Sequence, residues 1–153
     1  MRAVIQRVVE AKVHTDQIDT EHLSGAIKQG YLVYLGVGKT DGPQDEDYIT
    51  DKICHLRLFP DEQGRFDRSL TDIGGEVLLV SQFTLFGDAR KGRRPSFSEA
   101  APPELASQIY ENVRDKLITK GIRLACGVFQ AHMLVSSIND GPVTILLDSK
   151  KIM

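Results

Sequence analysis

Three short stretches of this 153-residue chain carry side chains that can do chemistry. Ser81-Gln82-Phe83-Thr84-Leu85 sets two hydroxyls and an amide directly after the apolar run Val77-Leu78-Leu79-Val80. A hydroxyl attacks an ester only when a base activates it. No histidine lies nearby in sequence, so the residue types alone favour a half-exposed strand end over a nucleophile. Asn139-Asp140-Gly141-Pro142-Val143-Thr144 has turn composition, and Gly141-Pro142 can take the cis form that a minority of X-Pro bonds adopt. Arg90-Lys91-Gly92-Arg93-Arg94 puts four positive charges in five residues. It reads as a solvated loop or, beside a nucleic-acid site, as a phosphate contact.

Several classes are disfavoured. Gly36-Val37-Gly38-Lys39-Thr40 imitates a phosphate-binding loop, but the position five before Gly38 is Val33, not glycine, and Asp41-Gly42-Pro43 interrupts the required helix start. His14, His22, His55 and His132 form no metal-type spacing, so neither a protein-held metal nor a cofactor is expected. Cys54 and Cys126 lie far apart in apolar surroundings and read as free, buried thiols. No apolar run reaches membrane-spanning length, and the opening residues are broken by Gln6, Arg7 and Glu10, unlike a secretion signal. A cytosolic protein is expected. The net charge of −2 argues against a generally basic nucleic-acid binder, but permits RNA binding through a local patch.

The elements that must position these residues follow from periodicity. Residues 2 to 13 alternate, with Ala3, Ile5, Val9, Ala11 and Val13 on one face, as in a half-exposed strand. A weak hairpin return follows Thr15 to Ser24, and Gly30 to Val37 reads as a buried strand. Pro43 opens a helix whose first turn carries Asp45, Glu46 and Asp47; its stripe is Tyr48, Ile49, Ile53 and Leu56. Leu58-Phe59 is extended before a turn at 60–64. Residues 76–85 make a central strand. A second helix covers about 103–120, with Leu105, Ile109, Val113 and Leu117 on one face. Strands follow at about 122–128, 132–138 and 143–147. Many strands and two real helices, without regular βαβ alternation, predict an α+β domain spanning 1–153, its sheets forming a barrel or sandwich with both helices packed outside.

The two polar stretches, taken in order, resemble the paired signature motifs of the D-aminoacyl-tRNA deacylase family. Ile5-Gln6-Arg7-Val8 is similar to the family's start. So are Gly74-Gly75, Arg94-Pro95-Ser96-Phe97, and Phe129, Ala131 and Met133 in their places. The resemblance covers essentially the whole chain. Phe66-Asp67 departs from the Met-Asn usual in relatives, which bears on loop contacts there, and Gln130 and His132 fill variable slots.

The resemblance implies a homodimer with active sites at the subunit interface. It implies hydrolysis of the ester between a D-amino acid and the terminal adenosine of tRNA, a proofreading step in translation that also admits glycine. Gly141-Pro142 would be cis and enter the neighbouring subunit's pocket, where an L side chain would collide. Ser81, Gln82, Phe83 and Thr84 would form the catalytic strand end, with backbone N–H near Phe83 and Thr84 as the oxyanion site. Attack would be assisted by the tRNA 2′-hydroxyl. Phe129, Ala131 and Met133 would line the adenosine pocket, and Lys91, Arg93 and Arg94 would contact tRNA phosphates. Two alternatives stay open: a non-enzymatic nucleic-acid-binding protein on the same scaffold, and a small-ester hydrolase using Thr84.

Overall fold

The computed structural model describes residues 1–152. In chain order the elements are β1 (Arg2–Thr15), β2 (Leu23–Ile27), β3 (Gly30–Gly36), α1 (Pro43–His55), β4 (Arg57–Pro60), β5 (Phe66–Ser69), α2 (Leu70–Ile73), β6 (Glu76–Ser81), a 3-10 turn (Phe83–Phe86), α3 (Pro103–Thr119), β7 (Arg123–Cys126) and β8 (Met133–Asp148). The main sheet runs β2-β1-β3-β6-β7, with β8 on β1 and with β4-β5 as a separate hairpin. β3-β6 and β6-β7 are parallel, and the other pairs are antiparallel. β2 leans back against β6 and β7 without pairing, so the sheet curls into a nearly closed barrel. This is the α+β arrangement expected, with α1 and α3 outside.

β3 and β6 are continuously apolar because both faces are covered. Tyr31, Val33, Leu35, Val77 and Leu79 face Ile49 and Ile53 of α1 and Ile109, Val113 and Leu117 of α3. Leu32, Leu78 and Val80 face the barrel interior with Val8, Ala11, Val13 and Ile27. Deleting a fully buried leucine from such a core costs about 2–5 kcal/mol. α1 begins as its sequence predicts. Asp45 accepts from the Gly42 N–H at 2.9 Å, and Asp45 also accepts from Lys150 at 2.8 Å and Ser149 at 2.6 Å. Cys54 and Cys126 are both free, but Cys126 is only half-buried.

Four expectations are corrected. Val9 is 52% exposed and Val8 is buried, because Val8 and Glu10 lie opposite the consecutive residues Asn139 and Ile138, which leaves Val9 as the extra residue of a bulge in β1. The strand expected over 76–85 stops at Ser81, and the chain turns through the 3-10 segment. The strands expected at 132–138 and 143–147 are one strand, β8, whose two halves both pair with β1. Asn139 lies opposite Val8 and Thr144 opposite Gln6, so residues 140–143 bulge out opposite Arg7 rather than closing a hairpin. β5 and α2 were not foreseen: their period is too short to register.

Candidate active site

A cleft of about 690 Å³ opens between the ends of β3 and β6, the start of α3 and the segment leading into β8. Ser81, Gln82 and Phe83 form one wall, and Phe129, Ala131 and Met133 form another. These two segments, far apart in sequence, meet because β6 ends beside the segment joining β7 to β8. Tyr110 of α3 lies below, 6.1 Å from the Phe129 ring. Its hydroxyl donates to the Leu79 carbonyl at 2.8 Å. Phe97 packs edge-on against Phe83 at 5.1 Å, leaving Phe83 58% exposed at the rim. Gln130 and His132, assigned to variable slots, also line the cleft. A single sequence offers no signal for either.

The strand end is a rigid corner. The Gln82 N–H donates to Leu35 O at 2.8 Å, extending the parallel β3–β6 ladder by one bond. The chain then winds so that Leu85 N–H returns to Gln82 O at 3.3 Å and Gly87 N–H to Thr84 O at 2.9 Å. The opening N–H groups of a helical turn have no acceptor within it. Among the described residues nothing accepts from the N–H of Phe83 or Thr84. Two adjacent unengaged donors, the first on the cleft-lining Phe83, suit a developing oxyanion.

Side-chain chemistry at this corner is sparse. Thr84 is exposed and is not among the cleft-lining residues. Its hydroxyl oxygen accepts from the Gln82 amide, and among the described residues no base contacts it. His132 points its Nδ1 at Asp16 Oδ1, 3.6 Å away, and makes no hydrogen bond to Ser81, Gln82 or Thr84. Burial, reinforced by the neighbouring Cys126, pushes the Tyr110 phenol far above its ordinary range. Burial likewise raises the Cys126 thiol. Both stay neutral at pH 7, so neither supplies an anionic nucleophile. Among the described residues no cluster of three or more His, Cys, Asp or Glu could hold a metal ion.

Gly141 and Pro142 sit on the exposed crest of the β8 bulge and do not line this chain's own cleft. Their peptide bond is cis, and Gly141 has φ 138°. A side chain there would meet Val143 Cγ2 at 2.6 Å, so glycine is required twice over. The crest is braced from beneath by a residue the sequence reading did not single out as functional. Arg7 is only 7% exposed. It donates to Asp140 O at 3.0 Å and Leu58 O at 2.5 Å, and pairs with Asp140 Oδ2 at 3.2 Å. Phe66, at the atypical Phe66-Asp67 position, covers the guanidinium at 5.3 Å. The available clue was that Arg7 falls on the odd-numbered face with Ala3, Ile5, Ala11 and Val13, where the alternation calls for an apolar residue.

The basic stretch forms the tip of a loop closed by reciprocal backbone bonds between Asp88 and Ser96, at 2.7 and 2.9 Å. Arg90 is engaged by Asp88 through Nη2 at 2.7 Å and Nε at 2.9 Å. Those bonds hold the Asp88 carboxyl far below the usual carboxylate range. Lys91, Arg93 and Arg94 form no ion pair among the described residues and stay exposed. Among the described residues no helix is long and apolar enough to cross a membrane.

The structure thus combines a curled sheet, a cleft with polar and apolar walls, two adjacent unengaged backbone donors and a braced Gly-Pro crest. Residues 4–148 match the family model described as D-Tyr-tRNA(Tyr) deacylase. The chain is 55% identical over 152 residues to a D-aminoacyl-tRNA deacylase of Thermotoga petrophila, and 56% identical over 151 residues to one of Clostridioides difficile; each match spans 99% of both chains. The chain belongs to the D-aminoacyl-tRNA deacylase family. Among solved structures it is similar to a c-Myc DNA unwinding element binding protein (TM-score 0.87, 38% identity, 97% of this chain and 98% of that one). A probable eukaryotic D-amino acid tRNA deacylase shares the fold at TM-score 0.82 and 15% identity, over 95% of this chain and 97% of that one.

Proposed function

We propose that this protein hydrolyses the ester of D-aminoacyl-tRNA and excludes the L form by shape, working as a homodimer in which each cleft is completed by the partner's Gly-Pro crest. The observation that carries the reading is the pairing of two unengaged backbone donors at Phe83 and Thr84 with an apolar cleft wall, with no base contacting Ser81 or Thr84 among the described residues. The terminal adenosine lies against Phe129, Ala131 and Met133, and Lys91, Arg93 and Arg94 hold phosphates. Water adds to the ester carbonyl carbon, aided by the ribose 2′-hydroxyl. Phe83 and Thr84 N–H groups take the oxyanion, while Ser81 and Gln82 brace the turn. The bond to the ribose 3′-oxygen then breaks, and that oxygen receives the proton. Gly141 and Pro142 are exposed and do not line their own cleft, which fits a device acting on a second copy. Their backbone fills the space an L side chain needs; a D side chain points elsewhere, and glycine has none to exclude. Exclusion by clash discriminates enantiomers better than shared contacts can.

The test compares D-Tyr-tRNA and L-Tyr-tRNA with wild-type protein and with Thr84→Ala and His132→Ala variants. Rapid loss of the D ester alone, retained in both variants, is expected. Loss of activity in Thr84→Ala would instead make the threonine the nucleophile. A dimer that cleaves neither ester, yet binds DNA in a salt-sensitive way, would favour the non-enzymatic reading that the likeness to the DNA unwinding element binding protein suggests.

A further inference from the structure

We infer that Arg2, outside the cleft, is a positioning residue that sets the Phe83–Thr84 donor pair. The inference rests on the oxyanion role proposed for that pair. Arg2 Nη1 donates to the Leu85 carbonyl at 2.9 Å. The same guanidinium lies over the Phe86 ring at 4.7 Å. Its Nε faces Asp148 Oδ2 at 3.6 Å, on the last residue of β8, whose carboxylate is buried and has no hydrogen-bond partner for that oxygen. One planar fork thus ties the end of β8, where Asp148 lies opposite Arg2, to two residues of the 3-10 turn. A lysine cannot do this, because its single nitrogen has no flat face and cannot reach carbonyl, carboxylate and ring together.

The opposite side of the turn is moulded by the two glycines that mimic a phosphate-binding loop. A Cβ on Gly36 would come within 2.9 Å of Gln82 O and 3.1 Å of Leu85 Cβ. One on Gly38 would lie 2.9 Å from two atoms of the Phe86 ring. The Gly38 N–H is already taken by Asp41 Oδ2 at 2.6 Å. The glycines therefore let the turn sit directly on the end of β3, and Arg2 closes it from the β1 side. The turn is held at Gln82, Leu85 and Phe86, while Phe83 and Thr84 keep their N–H groups unengaged. A rotation of the turn misdirects both donors at once, although no residue touching substrate has changed.

Arg2→Met and Arg2→Lys variants of the full chain separate this role from general stabilisation. Three readouts are needed: single-turnover cleavage of saturating D-Tyr-tRNA, the tRNA Kd, and hydrogen exchange at the Leu85 and Gly87 amides that close the turn. Exchange at both amides should rise in Arg2→Met. Cleavage should fall at least tenfold, with Kd within twofold, and Arg2→Lys should recover only part of the loss. Gly36→Ala, which displaces Gln82 O and leaves Arg2 intact, should reproduce the pattern if the Arg2 variants do not fold. Unchanged exchange at both amides overturns the positioning role. Faster exchange with undiminished cleavage supports the positioning role and overturns the oxyanion assignment instead.

Discussion

Replacing Arg7 by methionine tests the link between the buried strand and the Gly-Pro crest. The side chain is 7% exposed and gives two hydrogen bonds to main-chain carbonyls, of Leu58 and Asp140, besides its ion pair with Asp140. Removing one partner of a buried charge pair costs about 3–5 kcal/mol when the other is trapped. Here the Asp140 side chain is 41% exposed and can rehydrate, and methionine refills most of the stem volume. The Leu58 and Asp140 carbonyls lose charge-assisted donors worth about 1.5–3 kcal/mol each. With the rehydration, a net loss of about 2–4 kcal/mol is expected, measurable by denaturant titration at unchanged m-value. The same substitution frees the crest to move. If about 1.4 kcal/mol of its clash with an L side chain is lost, L-Tyr-tRNA cleavage rises tenfold, while D-Tyr-tRNA cleavage changes less. The assay is the D/L ratio of single-turnover rates, taken where the variant is fully folded. A D/L ratio equal to wild type in a variant that has lost the expected stability would refute the bracing role.

Gly141→Ala should destabilise by about 1–3 kcal/mol, because φ 138° is closed to an L side chain and its Cβ meets Val143; it should also lower D-ester cleavage, seen by thermal melting and deacylation in parallel. Replacing Lys91, Arg93 and Arg94 together by alanine should weaken tRNA binding and reduce the slope of log K against log salt by about 2–3, read from titrations at several salt concentrations; an unchanged slope removes these residues from the interface. Asp45 gives a pH signature. Burial opposes its charge, but hydrogen bonds from Lys150, Ser149 and the Gly42 N–H, with the chain's amino group nearby, outweigh it and hold the pKa down to about 2. A depressed carboxylate stabilises fully above its unfolded value of 3.8, and that stability is lost as pH falls through about 2. The contribution is about 2 kcal/mol. Denaturation at pH 5 and pH 2.5 should differ by less in Asp45→Asn than in wild type.

Much of the scaffold was legible without coordinates. The paired helices, the buried β3 and the onset of α1 at Pro43 are local events, set by apolar period, a proline at the first turn and acidic residues beside the helix dipole. The family was legible too, through ordered motifs spread along the chain. Errors arose where one residue changed the phase. Val9 fits the alternation read from the sequence, yet it is the extra residue of a β1 bulge between Val8 and Glu10 and turns outward. The motif Asn139 to Thr144 has the composition of a hairpin turn, but both flanks find a partner in the same long β1, and only that pairing makes it a crest.

Residue type and order by themselves determined which groups are available: hydroxyls and amides at 81–84, a Gly-Pro pair, a basic run and no metal-binding spacing. Tertiary structure decided which of them meet. It brought Phe129, Ala131 and Met133 into one cleft with Ser81, put no base in contact with Thr84 among the described residues, kept Gly141-Pro142 out of their own cleft and buried Arg7 against Asp140. It also gave Gly36 and Gly38 their purpose, which is room for a turn almost fifty positions later. The physical reason is range. Helix and strand preferences are settled by neighbours a few residues away, whereas clefts and braces depend on sheet register and packing between segments far apart in the chain.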